Sequence, residues 1–280
     1  GIIIGVASVM VMMSIGEGAR AQIDAQIASV GSNLLTVNPG GVQRGGRSMG
    51  FGSGRPFTEA DVAAMSDLPF VTAATGLLNG QVTAVSGETN WVTQIEGGDA
   101  SYFDVNNWRV AEGRAFTEQE ARSGAAVVVI GATAAQNLFP DSDPVGARIR
   151  LNSVPVQIIG VLETKGQSGG GMGQDRDDRF VGPLSMVRNR ITGGDRRVNR
   201  HVSRIQILVQ DGYDVMAAQE QIAETLRERR RIPPGGEDNF TIFNFADMIK
   251  QRGEAQQTMS LLLAFTAAVS LIVGGVGVMN

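Results

Sequence analysis

Asp175, Asp177 and Asp178 lie within the run DRDDR at 175–179, and a loop carrying several carboxylates can hold a hard cation such as Ca²⁺. The glycine at the sixth position and the terminal glutamate of an EF-hand are both missing, and Arg176 and Arg179 place competing positive charge among the acids. Just ahead, SGGGMG at 168–173 is glycine-rich enough to approach a phosphate. A phosphate-binding P-loop also needs GK[ST] opening a helix, which is absent, so the segment reads as a flexible loop. His201 is the single histidine. With no second histidine for zinc and no G-x-S-x-G elbow, it reads as a surface residue beside Arg200. RERRR at 227–231 reads as the solvated, dipole-favoured last turn of a helix ahead of Pro233 and Pro234. Trp91, Trp108, Tyr102 and Phe103 could line a groove, but in a chain so poor in aromatics they read as core. The chain has no cysteine, which excludes disulfides, thiolate metal sites and thiol nucleophiles. A net charge of −4 and a pI near 5.2 argue against a nucleic-acid partner. These residues assemble no catalytic, cofactor or metal site. The chain reads as a binding or mechanical protein, not an enzyme.

The elements that must position such a protein begin at its ends. GIIIGVASVMVMMSI at 1–15 precedes the first charge, Glu17, and no charge follows Glu254 as far as Asn280. A spanning helix needs roughly 20 apolar residues. The stretch 259–280 meets that length and predicts a transmembrane helix whose glycines, in VGGVGV, suit a bilayer. The stretch 1–15 is shorter and reads as the end of another transmembrane helix; its rival is a signal peptide, whose basic n-region is not visible. Each span continues into an amphipathic helix. Ile15, Ala19, Ile23, Ile27 and Val30 form one apolar stripe along a stalk helix at 16–32, which Gly31 would stop. Phe245, Ile249, Arg252, Gln256 and Met259 mark one side of a second stalk helix at 246–258.

Between the stalks the chain reads as an α+β domain. A strand at 34–37 leads to a glycine-rich loop at 39–55, and Thr58 with Asp61 predicts a capped helix over 59–66. Strands follow at 71–74, 81–86 and 91–96. Later, SRIQILV at 203–209, a helix opened by Asp214 and a strand at 240–245 repeat the order. A β-α-β unit at each end of the domain predicts a split β-α-β layer with helices on one face of a sheet. An insertion at 112–192 separates the two halves. Within it, Thr117 with Glu120 caps a second helix, AVVVI at 126–130 is a fully apolar, buried strand, and 147–151 with 154–162 form a hairpin around Asn152 and Ser153.

Taken together, GIIIGVASV at 1–9, SIGEGARAQIDAQIASVGSNLLTVNPG at 14–40, KGQSGGGMGQDRDD at 165–178, FVGPLSMVRNRITG at 180–193 and SLIVGGVGVMN at 270–280 resemble the permeases of MacB-type ATP-binding-cassette transporters, within the FtsX-like permease family. The resemblance runs along nearly the whole chain. It implies an extracytoplasmic domain with a porter-like subdomain at 33–111 and 193–245 and an inserted, mostly-β Sabre-like subdomain at 112–192. It also implies a multi-pass protein of the bacterial inner membrane working as a dimer. ATP and Mg²⁺ would be held by a fused or separate ATPase, and a periplasmic adaptor and an outer-membrane channel would complete the assembly. ATP-driven movement would pass through the stalks, at Ile15, Ala19, Ile23, Ile27, Val30, Phe245, Ile249, Arg252 and Met259, to expel substrate from the periplasm. The loop bearing Gln167, Gln174, Asp175, Asp177 and Asp178 would face a partner or substrate. Lipoprotein-releasing and cell-division permeases share the topology, and a two-helix receptor with a ligand-sensing ectodomain is the alternative from another class.

Overall fold

A computed structural model describes residues 33–40, 43–44, 47–48, 55–166, 175–193 and 200–244, together with Gly18, Thr258, Leu262, Phe265 and Val269. The chain divides into two compact units, Asn33–Asn244 and the paired ends Gly1–Ser32 and Phe245–Asn280. In the paired ends, the five described residues are helical and exposed. Thr258, Leu262, Phe265 and Val269 fall at spacings that share one helix face. Among the described residues no helix is long and apolar enough to cross a membrane. Apart from these five residues, the expected spans at 1–15 and 259–280 and the stalks at 16–32 and 246–258 lie outside the described residues.

The Asn33–Asn244 unit opens with β1 (Leu34–Pro39), the short β2 (Phe57–Thr58), α1 (Glu59–Ser66), β3 (Val71–Ser86) and β4 (Thr89–Gly98). Next come α2 (Tyr102–Val105), β5 (Val110–Gly113), α3 (Glu118–Ser123), β6 (Val127–Ile130), α4 (Ala132–Leu138), β7 (Arg148–Leu151) and β8 (Val154–Leu162). β9 (Arg179–Pro183) runs into α5 (Leu184–Met186) and a π-helical turn at Val187–Ile191. The unit closes with β10 (His201–Val202), β11 (Arg204–Val209), α6 (Val215–Arg230) and β12 (Phe240–Asn244).

Ten strands form one sheet in the order β12-β1-β11-β3-β4-β9-β6-β8-β5, with β7 paired to β8 and β3. Its first four strands carry the expected split β-α-β layout. β1-α1-β3 and β11-α6-β12 interleave so that β11 lies antiparallel between β1 and β3, and β12 adds antiparallel to the outer side of β1. The inner face of this layer is a period-2 pattern: Leu35 and Val37 of β1 and Ile205, Ile207 and Val209 of β11 are buried against Ile222 and Leu226 of α6.

β3 differs from the sequence reading. It is one strand of 16 residues, not two separated by a break. Within it, Gly76 is where α1 and β10 close over the strand. A Cβ there would fall 2.8 Å from both Val202 Cγ1 and Val62 Cγ2. β3 changes partner along its length: Val71 to Leu77 pair with β11, and Leu78 to Ser86 pair with β4. β4 then pairs in parallel with β9, so the sheet runs without interruption into the strands of the insertion.

In that part β6 and β8 are parallel, with α4 in the connection between them, and the β7–β8 hairpin turns at Asn152, whose φ is 54°. Of AVVVI, Val128, Val129 and Ile130 are buried, on both faces of the strand. Val128 and Ile130 join the larger core, and Val129 joins a second core with Tyr102, Phe103, Trp108 and Phe116. Both expected capping boxes form. The Asp61 amide donates to Thr58 Oγ1 at 3.3 Å while the Thr58 amide donates to Asp61 Oδ2 at 2.9 Å, and Thr117 with Glu120 repeats the pattern at 3.2 and 2.8 Å.

Candidate functional cleft

A cleft of about 920 Å³ lies between α1 on one side and α3 with α5 on the other. Gly76 and Ala74 of β3 and Gly98 of β4 are small residues among its lining, and Val62, Ala63, Ala121 and Leu184 supply apolar surface. Its charged residues converge from distant parts of the chain. Glu59, in the first turn of α1, receives Arg188 from the π-helical turn and Arg200 from the segment before β10, each at 2.6 Å. Arg188 is buried and also donates to the His201 carbonyl at 3.3 Å. The Glu59 amide donates to the Arg200 carbonyl at 3.1 Å, so the start of α1 is tied to this junction by backbone as well as side chain. Asp99, just past β4, accepts a 2.8 Å bond from the Thr75 hydroxyl. Burial pushes its carboxyl up to about 6, assisted by the charge of Glu118 and opposed by the Thr75 bond.

Beyond this cleft, a buried ion cluster joins the two parts of the sheet. Glu96 of β4 accepts from Arg204 of β11, from Arg179 of β9 at 3.1 Å and from the Tyr102 hydroxyl at 2.7 Å. Burial alone would raise the Glu96 carboxyl, but the charges of Arg204 and Arg179 outweigh it and hold the group below its ordinary range. Burial and the adjacent Glu96 push the Tyr102 hydroxyl up.

The sequence-predicted residues fall as follows. Ile15, Ala19, Ile23, Ile27, Val30, Phe245, Ile249, Arg252 and Met259, along with Gln167 and Gln174, lie outside the described residues. Asp177 is not a surface acid: it is buried, and its carboxylate accepts the Lys165 amide at 2.9 Å and the Gly166 amide at 2.7 Å. Asp175 accepts the Asp177 amide, and Asp178 accepts the Trp91 indole N–H at 2.8 Å. The three carboxylates therefore turn to three different donors rather than to one centre. Among the described residues no group of His, Cys, Asp and Glu side chains could hold a metal.

His201 is half-buried in β10 rather than on the surface, with its Nδ1 enclosed and without a partner. The basic run at 227–231 is engaged rather than simply solvated: Arg227 pairs with Asp238, Arg229 pairs with Asp61, and Arg230 lies 4.1 Å over the Phe57 ring. Sequence reasoning missed Glu59, Glu96, Asp99, Arg188 and Arg204 altogether. One cue was available for Glu96: a carboxylate in the otherwise uncharged run WVTQIEGG at 91–98.

The MacB-like periplasmic core domain model matches residues 1–225. The chain is 36% identical over 280 residues to the macrolide export ATP-binding/permease protein MacB of Azoarcus sp. (strain BH72). It is also 36% identical over 281 residues to the pyoverdine export ATP-binding/permease protein PvdT of Pseudomonas entomophila (strain L48). All of the chain aligns in both cases, and it spans 40% of the length of each relative. The periplasmic region of MacB from Actinobacillus actinomycetemcomitans superimposes with a TM-score of 0.65 at 24% identity, over 83% of this chain and 98% of that one. The extracellular domain of the noncanonic ABC-type transporter YknZ from Gram-positive bacteria has a TM-score of 0.58 at 18% identity, over 76% of this chain and 100% of that one. At those identities the two structures speak to the fold alone, a mixed α+β architecture. The match of the family model over most of the chain, with relatives above one-third identity along all of it, places this protein in the MacB-like periplasmic core domain family.

Proposed function

We propose that this chain is the outward-working part of an ABC-type efflux permease, and that its extracytoplasmic domain couples cytoplasmic ATP hydrolysis to expulsion of substrate from the periplasm. The observation that carries this reading is the full-length alignment with macrolide and pyoverdine export ATP-binding/permease proteins. ATP and Mg²⁺ act on a nucleotide-binding domain that is fused or separate, and the permease works as a dimer in the bacterial inner membrane. A periplasmic adaptor and an outer-membrane channel receive the substrate. The porter-like subdomain comprises 33–111 and 193–245 and the Sabre-like subdomain 112–192. This division is supported by the two interleaved β-α-β units that flank the inserted strands. The cleft between α1 and α3 with α5 gives the two parts room to move against each other, and Glu59, held by arginines at 188 and 200, ties the start of α1 to the end of the insertion. The loop bearing Gln167, Gln174 and Asp175 faces a partner or substrate, with Asp177 clamping its base.

The stalks at 16–32 and 246–258 carry the movement. A charge placed in the apolar stripe at Ile23 or Ile27 opposes packing of that seam. In the full-length transporter, Ile23→Asp and Ile27→Asp are expected to leave ATP hydrolysis running while export falls by about tenfold or more, with the extracytoplasmic domain still folded. Wild-type export by both variants would overturn the coupling role.

A further inference from the structure

The cleft between α1 and α3 with α5 is lined by three acids and three arginines, and Asp99 is the acid left without a cation. Arg188 and Arg200 each lie 2.6 Å from Glu59, and Arg122 lies 2.9 Å from Glu118. Asp99 accepts instead from neutral donors, the Thr75 hydroxyl at 2.8 Å and the Ser101 amide. Burial raises its carboxyl to about 6 and the charge of Glu118 adds to the rise, so at neutral pH a half-buried carboxylate stands ionised near a second negative group. Among the described residues no cation comes within ion-pair distance of it. The surrounding surface is apolar or small: Val62 and Ala63 of α1, Ala74 and Gly76 of β3, Gly98 of β4 and Leu184 of α5. A volume of about 920 Å³ lies in the range of small-molecule sites, whose apolar linings carry a few placed polar groups.

We propose that this cleft binds a small organic amine, with the ammonium group on Asp99 and the carbon skeleton against the apolar lining. A metal ion does not suit the lining, because hard cations take roughly six or more oxygens and no group of His, Cys, Asp and Glu among the described residues could hold one. An ammonium group asks for one carboxylate, and taking it out of water is favourable only where such an anion meets it. Glu118 is exposed and shares its charge with Arg122, so Asp99 is the anchor and Glu118 strengthens the negative field around it. The site is a property of the cleft and is read by binding, whether or not the chain takes part in export.

The test is calorimetric titration of the purified full-length protein with cyclohexylmethylamine and, separately, with its uncharged isostere cyclohexylmethanol. Near pH 7.5 the amine is expected to bind saturably, about tenfold or more tighter than the alcohol. Asp99→Asn, which keeps an oxygen for the Thr75 hydroxyl, is expected to bring the amine down to the affinity of the alcohol. Ala63→Trp, on the exposed part of α1, narrows the cleft and is expected to weaken amine and alcohol alike. An alkyl ammonium titrates at roughly 10, so the amine stays charged near pH 5 while Asp99 takes up its proton around 6. Amine affinity in the wild type is therefore expected to fall about tenfold between pH 7.5 and 5, and to stay level in Asp99→Asn. Glu118 and Arg122 of α3, Glu59 of α1, and Arg188 and Arg200 share the cleft, and the Asp99→Asn series separates the titration of Asp99 from theirs. Should Asp99→Asn fail to fold, the wild-type pH series and Ala63→Trp carry the comparison. No saturable heat with the amine at about 10 mM, equal affinity for amine and alcohol, or wild-type amine affinity in folded Asp99→Asn overturns the site.

Discussion

Glu96 is buried but amply satisfied, with two guanidinium groups and a phenol on its oxygens. Removing one partner of such a cluster leaves the others charged and enclosed, at a penalty of about 3–5 kcal/mol. Glu96→Ala, which strands Arg179 and Arg204, is expected to lower unfolding stability by that amount. Urea denaturation of the wild type and variant reads it as a shift of the midpoint with little change in slope. A shift below about 1 kcal/mol would mean that solvent reaches the cluster. The two arginines stand 83 and 108 positions away along the chain, so no local spacing could have announced their part in the cluster. The acids of DRDDR teach the converse. Their spacing was legible, but whether each carboxylate faces solvent or backbone amides depends on the course of β9 and of the chain at Lys165.

At the scale of elements, local chemistry was read well where it is self-contained. Thr58 with Asp61 and Thr117 with Glu120 satisfy each other within one turn, so three residues of spacing suffice to place two helix starts. The β7–β8 hairpin was equally legible, because its turn and its alternation sit next to each other in sequence. β3 was not legible, since its continuity through Gly76 is set by Val62 and Val202, which close over the strand from elsewhere. Gly113 makes a similar point and allows a direct test. Its φ is +78°, and a Cβ there would lie 2.3 Å from the Ile159 carbonyl oxygen, where β5 meets β8. Gly113→Ala is expected to destabilise the domain by about 1–3 kcal/mol through strain and displacement of that strand pair. Thermal unfolding would read this as a melting temperature several degrees lower. An unchanged melting temperature would show that the β5 edge yields freely.

Across the whole molecule, one sheet links the split β-α-β layer to the inserted strands, and the cleft beside it encloses Asp99. The carboxyl of Asp99 has a folded value of about 6 against an ordinary 3.8, so the folded protein binds that proton more tightly than the unfolded chain. Stability from this group is complete below about 3.8 and declines as pH rises towards about 6, by up to about 3 kcal/mol. Asp99→Asn keeps an oxygen for the Thr75 hydroxyl and removes the titration. The variant is expected to match the wild type near pH 4 and exceed its stability at pH 7, a difference that unfolding curves across the interval would register. Parallel curves would place Asp99 in contact with water. By itself the sequence determined the α+β class, the interleaved halves around an insertion, the two helix caps and the family, because each rests on periodicity, capping or ordered motifs readable along the chain. Only the tertiary structure decided that β3 belongs to both parts of the sheet, that Glu96 and Glu59 collect arginines from far away, and that Asp177 turns inward. Those outcomes depend on which distant segments meet, and on how much water is left between them.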